Sequence, residues 1–334
     1  MRKREKIFWV ASSLLIAGLF ILDMMTGASG LTASQVVDVL TGREVQPAIK
    51  TIVLDIRLVK AVTAILAGIA VSVSGLIMQT LFQNPLAGPY VLGISSGASL
   101  GAAIYVLGAS ALGIAASGAA AQLGLAGFAW LGAAGVLMII AAAGRRIKDI
   151  MIILILGMML GSGIDAIVQI MQYLSDEASL KSYVMWTMGS LNSVSGWQLG
   201  FLGISVAAGI AIIVTSCKSL NLLLLGERYA VSMGLNLKKS RSLIFLATVL
   251  LAGTVTAFCG PLGFIGLAIP HITRFILKNA DHRVLIPGTM LTGAVIMLGC
   301  DIVAKTVALP INAITSLIGI PVVIWVVVKQ SKLY

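Results

Sequence analysis

The sequence predicts an all-α, polytopic membrane protein with about ten transmembrane helices. Of its 334 residues, 59% are hydrophobic and only 10% are charged, whereas soluble domains carry about 25% charged residues. Apolar runs close to the roughly 20 residues that a helix needs to cross a membrane recur along the whole chain. We expect one transmembrane domain over residues 1–334. The predicted spans are residues 7–26, 57–82, 90–108, 113–143, 148–173, 192–216, 242–259, 263–277, 284–304 and 312–328.

The distribution of charge predicts the topology. The first span follows the basic segment MRKREK and is not followed by a small-residue cleavage site, so we expect an uncleaved helix with a cytoplasmic N-terminus. Ten crossings then return the C-terminus to the cytoplasm of a cell-membrane protein. This places 17 of the 23 Lys and Arg residues on the cytoplasmic side, as the positive-inside rule requires. The net charge of +11 therefore reflects topology and contact with membrane lipid, and no nucleic-acid partner is expected.

Two polar segments between the spans have predictable local structure. Thr32 followed by Gln35 is a capping-box pattern, which predicts a short surface helix that runs through Leu40. The polar residues 175–181 are predicted to form a turn between the fifth and sixth spans. We expect no soluble domain.

Glycine and proline mark close packing and breaks in the helices. Gly93, Gly97 and Gly101 are spaced as consecutive small-xxx-small steps, which more often indicate close helix packing than a ligand site. Loop-forming residues follow the second and seventh spans, where a break is either a gate or a plain turn. The candidate gate or helix-break residues are Asn84, Pro85, Gly260, Pro261 and Gly263.

Polar residues on two spans are candidates for a translocation pathway. On the fifth span they are three or four residues apart, which places them on one helix face. An ionisable residue at membrane depth usually faces a bundle interior or a water-filled cavity. The alternative is a stripe that hydrogen-bonds a neighbouring helix. The candidate pathway residues on the fifth span are Ser162, Asp165, Gln169 and Gln172. On the second span the candidate is Gln79, which lies on a weaker polar line with Ser72, Gly75 and Gln83.

Arg57, Lys60 and Lys305 fall on the outer side of the predicted topology, where the positive-inside rule disfavours basic residues. Their presence there suggests that they hold an acidic partner. Two other interpretations stay open. The side chains could extend to lipid phosphates, or Lys305 could pair with Asp301 one helical turn away.

The polar and basic stretch Leu225–Arg241 separates two long apolar blocks. At about 17 residues it is longer than the roughly 2 to 8 residues of a simple helix connection. An apolar stripe at helical spacing predicts one or two short amphipathic helices outside the bilayer, which either dock a partner or lie on the membrane surface. The stripe comprises Leu222–Leu225, Tyr229, Ala230 and Met233, while Glu227, Arg228, Lys238, Lys239 and Arg241 face elsewhere.

The sequence offers little support for catalysis or metal binding. His271 and His282 are not part of an H-E-x-x-H motif, and neither a nucleophile elbow nor a phosphate-binding loop occurs. If the protein uses ATP, another chain must bind it. Cys217, Cys259 and Cys300 lack metal-ligand spacing, so neither a disulfide framework nor a zinc site is expected. We expect no enzyme activity and no cofactor on this chain.

Four motifs give the chain a family resemblance that extends in order from about Arg57 to Trp325. Their sequences are NPLAGPYVLGISSGASLG from Asn84, LGERYAVSMGLN from Leu225, GPLGFIGLAIPHITR from Gly260 together with DHRVLIPG from Asp281, and LPINAITSLIGIP from Leu309. With these motifs the chain resembles the permease subunits of type II ABC importers. That family imports iron-siderophores, haem and vitamin B12.

The resemblance implies an assembly. Two copies would form a homodimer around a central pathway, two ATPase subunits carrying ATP and Mg would dock on coupling helices at about 220–240, and an extracytoplasmic binding protein would deliver the substrate. Arg57, Lys60 and Lys305 match basic positions that meet acidic residues of the binding protein. The residues that match the coupling segment are Leu225, Gly226, Glu227, Arg228, Ala230, Met233 and Gly234.

The substrate is less well defined, because the chain departs from the family pattern. Gln83 replaces a usual Arg, Gly88 a common acidic residue, Ala308 a usual Glu and Asn312 a usual Gly. We expect an iron chelate or a corrinoid-like compound. The rival hypothesis is an ion-coupled secondary transporter without an ATPase, for which Asp165 is the obvious intramembrane carboxylate.

Overall fold

A computed structural model describes residues 3–27, 30–108, 118–144, 146–147 and 149–331. Within them, seven helices are long and apolar enough to cross a membrane, and three shorter apolar helices make ten, the predicted number. The long helices are α1 (Lys3–Met25), α3 (Pro47–Leu81), α5 (Gly118–Gly144), α6 (Ile150–Tyr173), α8 (Gly196–Thr215), α11 (Leu237–Cys259) and α13 (His282–Val307). The shorter ones are α4 (Ile94–Gly108), α12 (Ile265–Leu277) and α14 (Ile311–Ser331), the last apolar through Val326.

Four further helices connect these spans: α2 (Ala33–Leu40), α7 (Glu177–Thr187), α9 (Cys217–Leu223) and α10 (Glu227–Ser232). The capping box predicted for α2 is confirmed, because Thr32 and Gln35 cap each other's backbone N–H groups. The turn predicted at 175–181 is wrong. Asp176 accepts a hydrogen bond from the Ser179 backbone N–H and begins α7, since a side-chain oxygen at this position satisfies a free helical donor.

The observed helix ends refine several predicted boundaries. α3 begins at Pro47, well before residue 57, because proline is favoured in the first turn of a helix, where its missing N–H is not needed. A π-helical turn over Ile52–Leu58 continues into the rest of α3. The predicted start of the fourth span at residue 113 lies outside the described residues.

The chain forms two compact units. The first comprises Met1–Val73, Ser190–Ile204 and Gly263–Tyr334, and the second comprises Ser74–Gly189 and Ser205–Leu262. Each unit is assembled from separate segments, so neither is an independent length of chain. The single domain expected over 1–334 stays a prediction.

In the first unit, α1 and α12 pack against α13, and α12 also packs against α14. α3 approaches α13 so closely that a Cβ atom added to Gly68 would lie 2.3 Å from the Gly293 carbonyl oxygen. At the C-terminal end of α1, an apolar cluster joins this helix to α2 and the start of α3. Its buried members are Met24, Val36, Val39, Val53 and Ala61.

In the second unit, α4 packs between α5 and α6. A Cβ atom on Gly97 would lie 2.5 Å from the Gly132 carbonyl oxygen, and one on Gly101 would lie 2.0 Å from the Phe128 carbonyl oxygen. Gly93 has φ +75 and approaches Gly161 of α6. The predicted close packing at these three glycines is confirmed. Only residues without side chains let helix backbones come this near.

Candidate functional site

The segment between α8 and α11 contains two short helices, and one of them, α10, lies within Leu225–Arg241, where one or two were predicted. Gly226, with φ +98, separates α9 from α10, and Gly234, with φ +85, follows the end of α10. Both values lie in the left-handed region that glycine adopts without strain. Asn236 then accepts a hydrogen bond from the Lys239 backbone N–H and begins α11.

Several large apolar side chains of this segment are exposed. Ala230 is fully buried, whereas Leu225, Tyr229, Val231 and Met233 present large apolar side chains at the surface. We call these four side chains, two on α10 and two beside its ends, the apolar face of α10. A cluster of exposed apolar groups on a short helix is typical of an interaction surface.

Two charged residues of the segment turn inward, which corrects the prediction that Glu227 and Arg241 face away from the packed side. The Arg241 Nη2 and Nε atoms donate to Glu227 Oε1 at 2.6 and 3.2 Å. Arg241 Nη1 donates to the Ile147 carbonyl oxygen at 3.3 Å. The helical pattern could not reveal this pair, because Glu227 and Arg241 are on different helices. The opposite charges of Glu227 and Arg241, near the two ends of Leu225–Arg241, are the only hint of this pair in the sequence.

A cavity of about 1260 Å³ adjoins α10 within the second unit. Gln83 lies in its wall and donates to the Leu223 carbonyl oxygen at 2.7 Å, which ties the end of α3 to the end of α9. Asp149 and Lys238 also line the cavity. Gln83, a departure from the family pattern, thus has a structural contact in the connecting segment.

The predicted pathway residues do not form one surface. Ser162, Asp165 and Gln169 are exposed along α6, whereas Gln79 is 4% exposed inside the second unit. Gln172 is half-buried and hydrogen-bonds Tyr183 of α7. The structure therefore leaves an exposed polar line on α6 and separates Gln79 from it.

The two predicted breaks are hydrogen-bonded turns. After α3, the Asn84 side chain accepts from the Leu86 backbone N–H at 2.9 Å, and Pro85 lies between them. A gating role at this break stays a prediction.

At the second break, Gly260 has φ +75 and a Cβ there would lie 2.5 Å from the Trp186 carbonyl oxygen. Pro261 follows it, and the Gly263 backbone N–H then donates to Asn312 Oδ1 at 2.9 Å. Phe264 adopts φ +63, a conformation that strains a non-glycine residue. Asn312, another departure from the family pattern, holds the residue before this strained position. A gate here also stays a prediction.

The three basic residues predicted to dock a partner are engaged within the first unit. Arg57 Nη1 donates to the carbonyl oxygens of Met24 and Met25 at 2.7 and 3.3 Å, which caps the end of α1. Lys60 Nζ lies 3.2 Å from Asp301 Oδ1.

Lys305 completes this group. Its Nζ atom lies 2.8 Å from Asp301 Oδ2, the predicted pair one helical turn apart, and 2.7 Å from Asp23 Oδ2. Asp23, Lys60, Asp301 and Lys305 form what we call the ionic cluster, in which every side chain is largely buried. Sequence reasoning overlooked Asp23, although an acidic residue near the end of an apolar span is a recognisable signal.

Among the described residues, no three His, Cys, Asp or Glu side chains are grouped to hold a metal ion. Cys217, Cys259 and Cys300 are not joined in disulfide bonds. The arrangement of the described residues thus consists of exposed surfaces and buried ion pairs.

Comparison with known proteins places this geometry in context. The FecCD transport family matches residues 14–329. The vitamin B12 import system permease protein BtuC of Salmonella paratyphi A is 35% identical over 337 residues, which cover 99% of this chain and 98% of the relative.

Two solved structures have the same fold. A metal-chelate type ABC transporter in an inward-facing conformation superposes with a TM-score of 0.83 and 29% identity, covering 97% of this chain and 99% of that one. PsaBC from Streptococcus pneumoniae, in complex with Fab, superposes with a TM-score of 0.55 and 16% identity, covering 86% and 93%. The second match supports the fold alone.

Proposed function

We propose a cargo, a direction and a set of partners for this chain, which belongs to the FecCD transport family and is a permease subunit of a type II ABC importer. It moves an iron chelate such as a siderophore or haem, or a vitamin B12-like corrinoid, across the cell membrane into the cytoplasm. Similarity to BtuC and to a metal-chelate transporter supports this substrate class. Both termini lie in the cytoplasm, in keeping with the positive-inside rule.

The apolar face of α10 carries the proposal. Leu225, Tyr229, Val231 and Met233 are exposed on a segment that the predicted topology places in the cytoplasm. Two ATP-binding subunits dock there. They bind and hydrolyse ATP with Mg, a task assigned to separate subunits because this sequence has no phosphate-binding loop. Differential binding of those subunits to two permease states supplies the energy of transport. The exposed side chains within Leu225–Gly234 form the coupling surface.

The polar line on α6 supports a homodimer. Ser162, Asp165 and Gln169 are exposed on an apolar helix long enough to cross a membrane. A carboxylate facing lipid is costly, so this face borders a second copy of the chain and a water-filled pathway between the copies. A pathway of small and weakly polar side chains suits a bulky cargo that must pass without tight binding.

An extracytoplasmic binding protein delivers the cargo to the outer surface. Arg57, Lys60 and Lys305 are its docking residues in this proposal. In the described conformation their charges are directed to Asp23, Asp301 and backbone carbonyl groups, so acidic side chains of the binding protein must replace those contacts. Charge reversal at Arg57 and Lys60 should weaken docking of the binding protein. The same change also removes contacts within the first unit, so the melting temperature of the variant must be measured beside its docking.

Purification of the chain from its native membrane in mild detergent tests the docking surface. The unaltered chain is expected to bring a subunit with a phosphate-binding loop, identified by mass spectrometry. Tyr229→Asp combined with Met233→Asp should lower its yield at least tenfold, because exposed aromatic and apolar anchors dominate the energy of such interfaces. Leu40→Asp makes a similar change on the exposed side of α2 and should leave the yield unchanged. A solitary unaltered chain would contradict the proposal.

The secondary-transporter hypothesis draws on the exposure of Asp165 and predicts a different result. We expect Asp165→Asn to retain uptake within about twofold, because a pathway wall needs polarity but not a titratable group. Asp165→Leu, which removes the polarity, should slow uptake further. Uptake of radiolabelled ferric hydroxamate and cyanocobalamin into vesicles measures both. Loss of uptake in Asp165→Asn, together with ATP-independent uptake by the unaltered chain, would favour the rival.

A further inference from the structure

We propose that Glu227 and Arg241 are positioning residues that transmit the movement of α10 to α11. This inference rests on the proposed docking of an ATPase subunit at α10. The pair joins the first residue of α10 to the second turn of α11 through two charge-assisted hydrogen bonds at 2.6 and 3.2 Å. Neither side chain belongs to the apolar face of α10, so the pair is distinct from the proposed docking side chains.

The backbone links of α10 to its neighbours pass through glycine at both ends, where single hydrogen bonds such as Gly226 N–H to the Leu223 carbonyl oxygen (3.1 Å) and Leu235 N–H to the Ala230 carbonyl oxygen (3.0 Å) close the turns. Gly226 and Gly234 border the helix on either side, both in the left-handed region, and no atom lies within 4 Å of a Cβ built on Gly234. Glycine links of this kind bend easily. Side-chain contacts that bypass these glycines give a second and stiffer route from α10 to the helix beyond it.

Arg241 has the geometry for that role. Its guanidinium group contacts Glu227 with two nitrogen atoms, and its third nitrogen, Nη1, donates to the Ile147 carbonyl oxygen before α6. Only 7% of the Arg241 side chain and 20% of the Glu227 side chain are exposed, so water competes weakly for these bonds. One planar group thus ties together α10, α11 and the segment that leads into α6.

The adjacent cavity makes these contacts more important. About 1260 Å³ of space borders Glu227, Arg228 and Tyr229, so α10 does not rest on a continuous packed layer at this side. A helix supported across a cavity depends on the few contacts that bridge it. Glu227 and Arg241 both line this cavity and bind each other there, and Gln83, also in its wall, secures the preceding helix by its bond to Leu223.

Hydrogen exchange in the complex with the co-purified ATPase subunit separates docking from transmission. In the unaltered complex, docking should protect the backbone amides of α10, and addition of ATP and vanadate should change exchange over residues 237–248 at least threefold. In Glu227→Gln and Arg241→Gln, α10 should remain protected while the response of 237–248 falls below a third of its normal size. Lys239→Gln removes a neighbouring exposed charge and should behave like the unaltered chain.

The reversed pair, Glu227→Arg with Arg241→Glu, distinguishes transmission from simple stabilisation. We expect it to restore the nucleotide response at least in part, and Arg241→Lys to restore less, because lysine cannot hold Glu227 and Ile147 with one planar group. The single variants could lower the melting temperature, and the reversed pair could restore it without restoring the change in hydrogen exchange over residues 237–248. That result would show stabilisation alone and would overturn the inference. A full response in Glu227→Gln and Arg241→Gln also overturns it. Absence of α10 protection in the unaltered complex would instead contradict the proposed function.

Discussion

Gly101→Ala is expected to lower the melting temperature of the protein in detergent more than any other glycine-to-alanine change on α4. A Cβ atom at this position would lie 2.0 Å from the Phe128 carbonyl oxygen and 2.6 Å from its carbon. Both are backbone atoms, so no side-chain rotation can relieve the contact and the two helices must separate. Overpacking of this kind costs about 1–3 kcal/mol, and the backbone clash places this variant at the upper end.

Gly127→Ala and Gly135→Ala are the matched controls on α5. Nothing lies within 4 Å of a Cβ atom built on either glycine. Alanine favours a helix over glycine by about 0.5–1 kcal/mol, so both controls should melt at or slightly above the temperature of the unaltered chain. Equal melting of Gly101→Ala and Gly127→Ala would show that α4 and α5 do not pack as described.

Lys305→Met is expected to destabilise the first unit by about 3 to 5 kcal/mol, the usual effect of removing one member of a buried ion pair. Lys305 is 9% exposed and contacts Asp23, which is fully buried, at 2.7 Å. Methionine keeps the length of the side chain but leaves the Asp23 carboxylate without its charged partner. Thermal unfolding and protease resistance in detergent measure the effect.

The surface pair of Asp38 and Arg43 provides the comparison. Its atoms are 2.9 Å apart, close to the 2.7 Å of the Lys305–Asp23 pair, but the Arg43 side chain is 75% exposed, so Arg43→Met should change stability by no more than about 1 kcal/mol. Asp23→Asn added to Lys305→Met should recover part of the loss, since it removes the stranded charge. A change as small as that of Arg43→Met would refute the description of the ionic cluster as a stabilising group.

Much of the fold follows from features that are local in sequence. Ten apolar runs predict the ten apolar helices, because each helix satisfies its own backbone hydrogen bonds and needs only length and hydrophobicity. The capping box at Thr32 and the pairing of Asp301 with Lys305 are also local, since the partners lie three or four residues apart. The close packing at Gly97 and Gly101 is predictable as well, because the two glycines lie four residues apart on one helix face.

Contacts between distant residues were beyond sequence reasoning. Asp23 and Lys305 are 282 positions apart, and Gln83 and Leu223 are 140 apart, so no periodic pattern joins them. Glu227 and Arg241 are only 14 apart, but a glycine-bordered helix and a turn lie between them. The helical pattern therefore treats both as surface charges, and the inward turn follows from tertiary packing.

The position of Asp23 has a consequence for how the protein is made. At about 5 to 20 residues per second, a ribosome needs roughly 15 to 60 seconds to travel the 282 residues from Asp23 to Lys305. During that interval the lysine that pairs with Asp23 in the finished protein has not yet been made. The ion pair that ties the end of α1 to α13 can therefore form only late in biogenesis, once α13 has been synthesised.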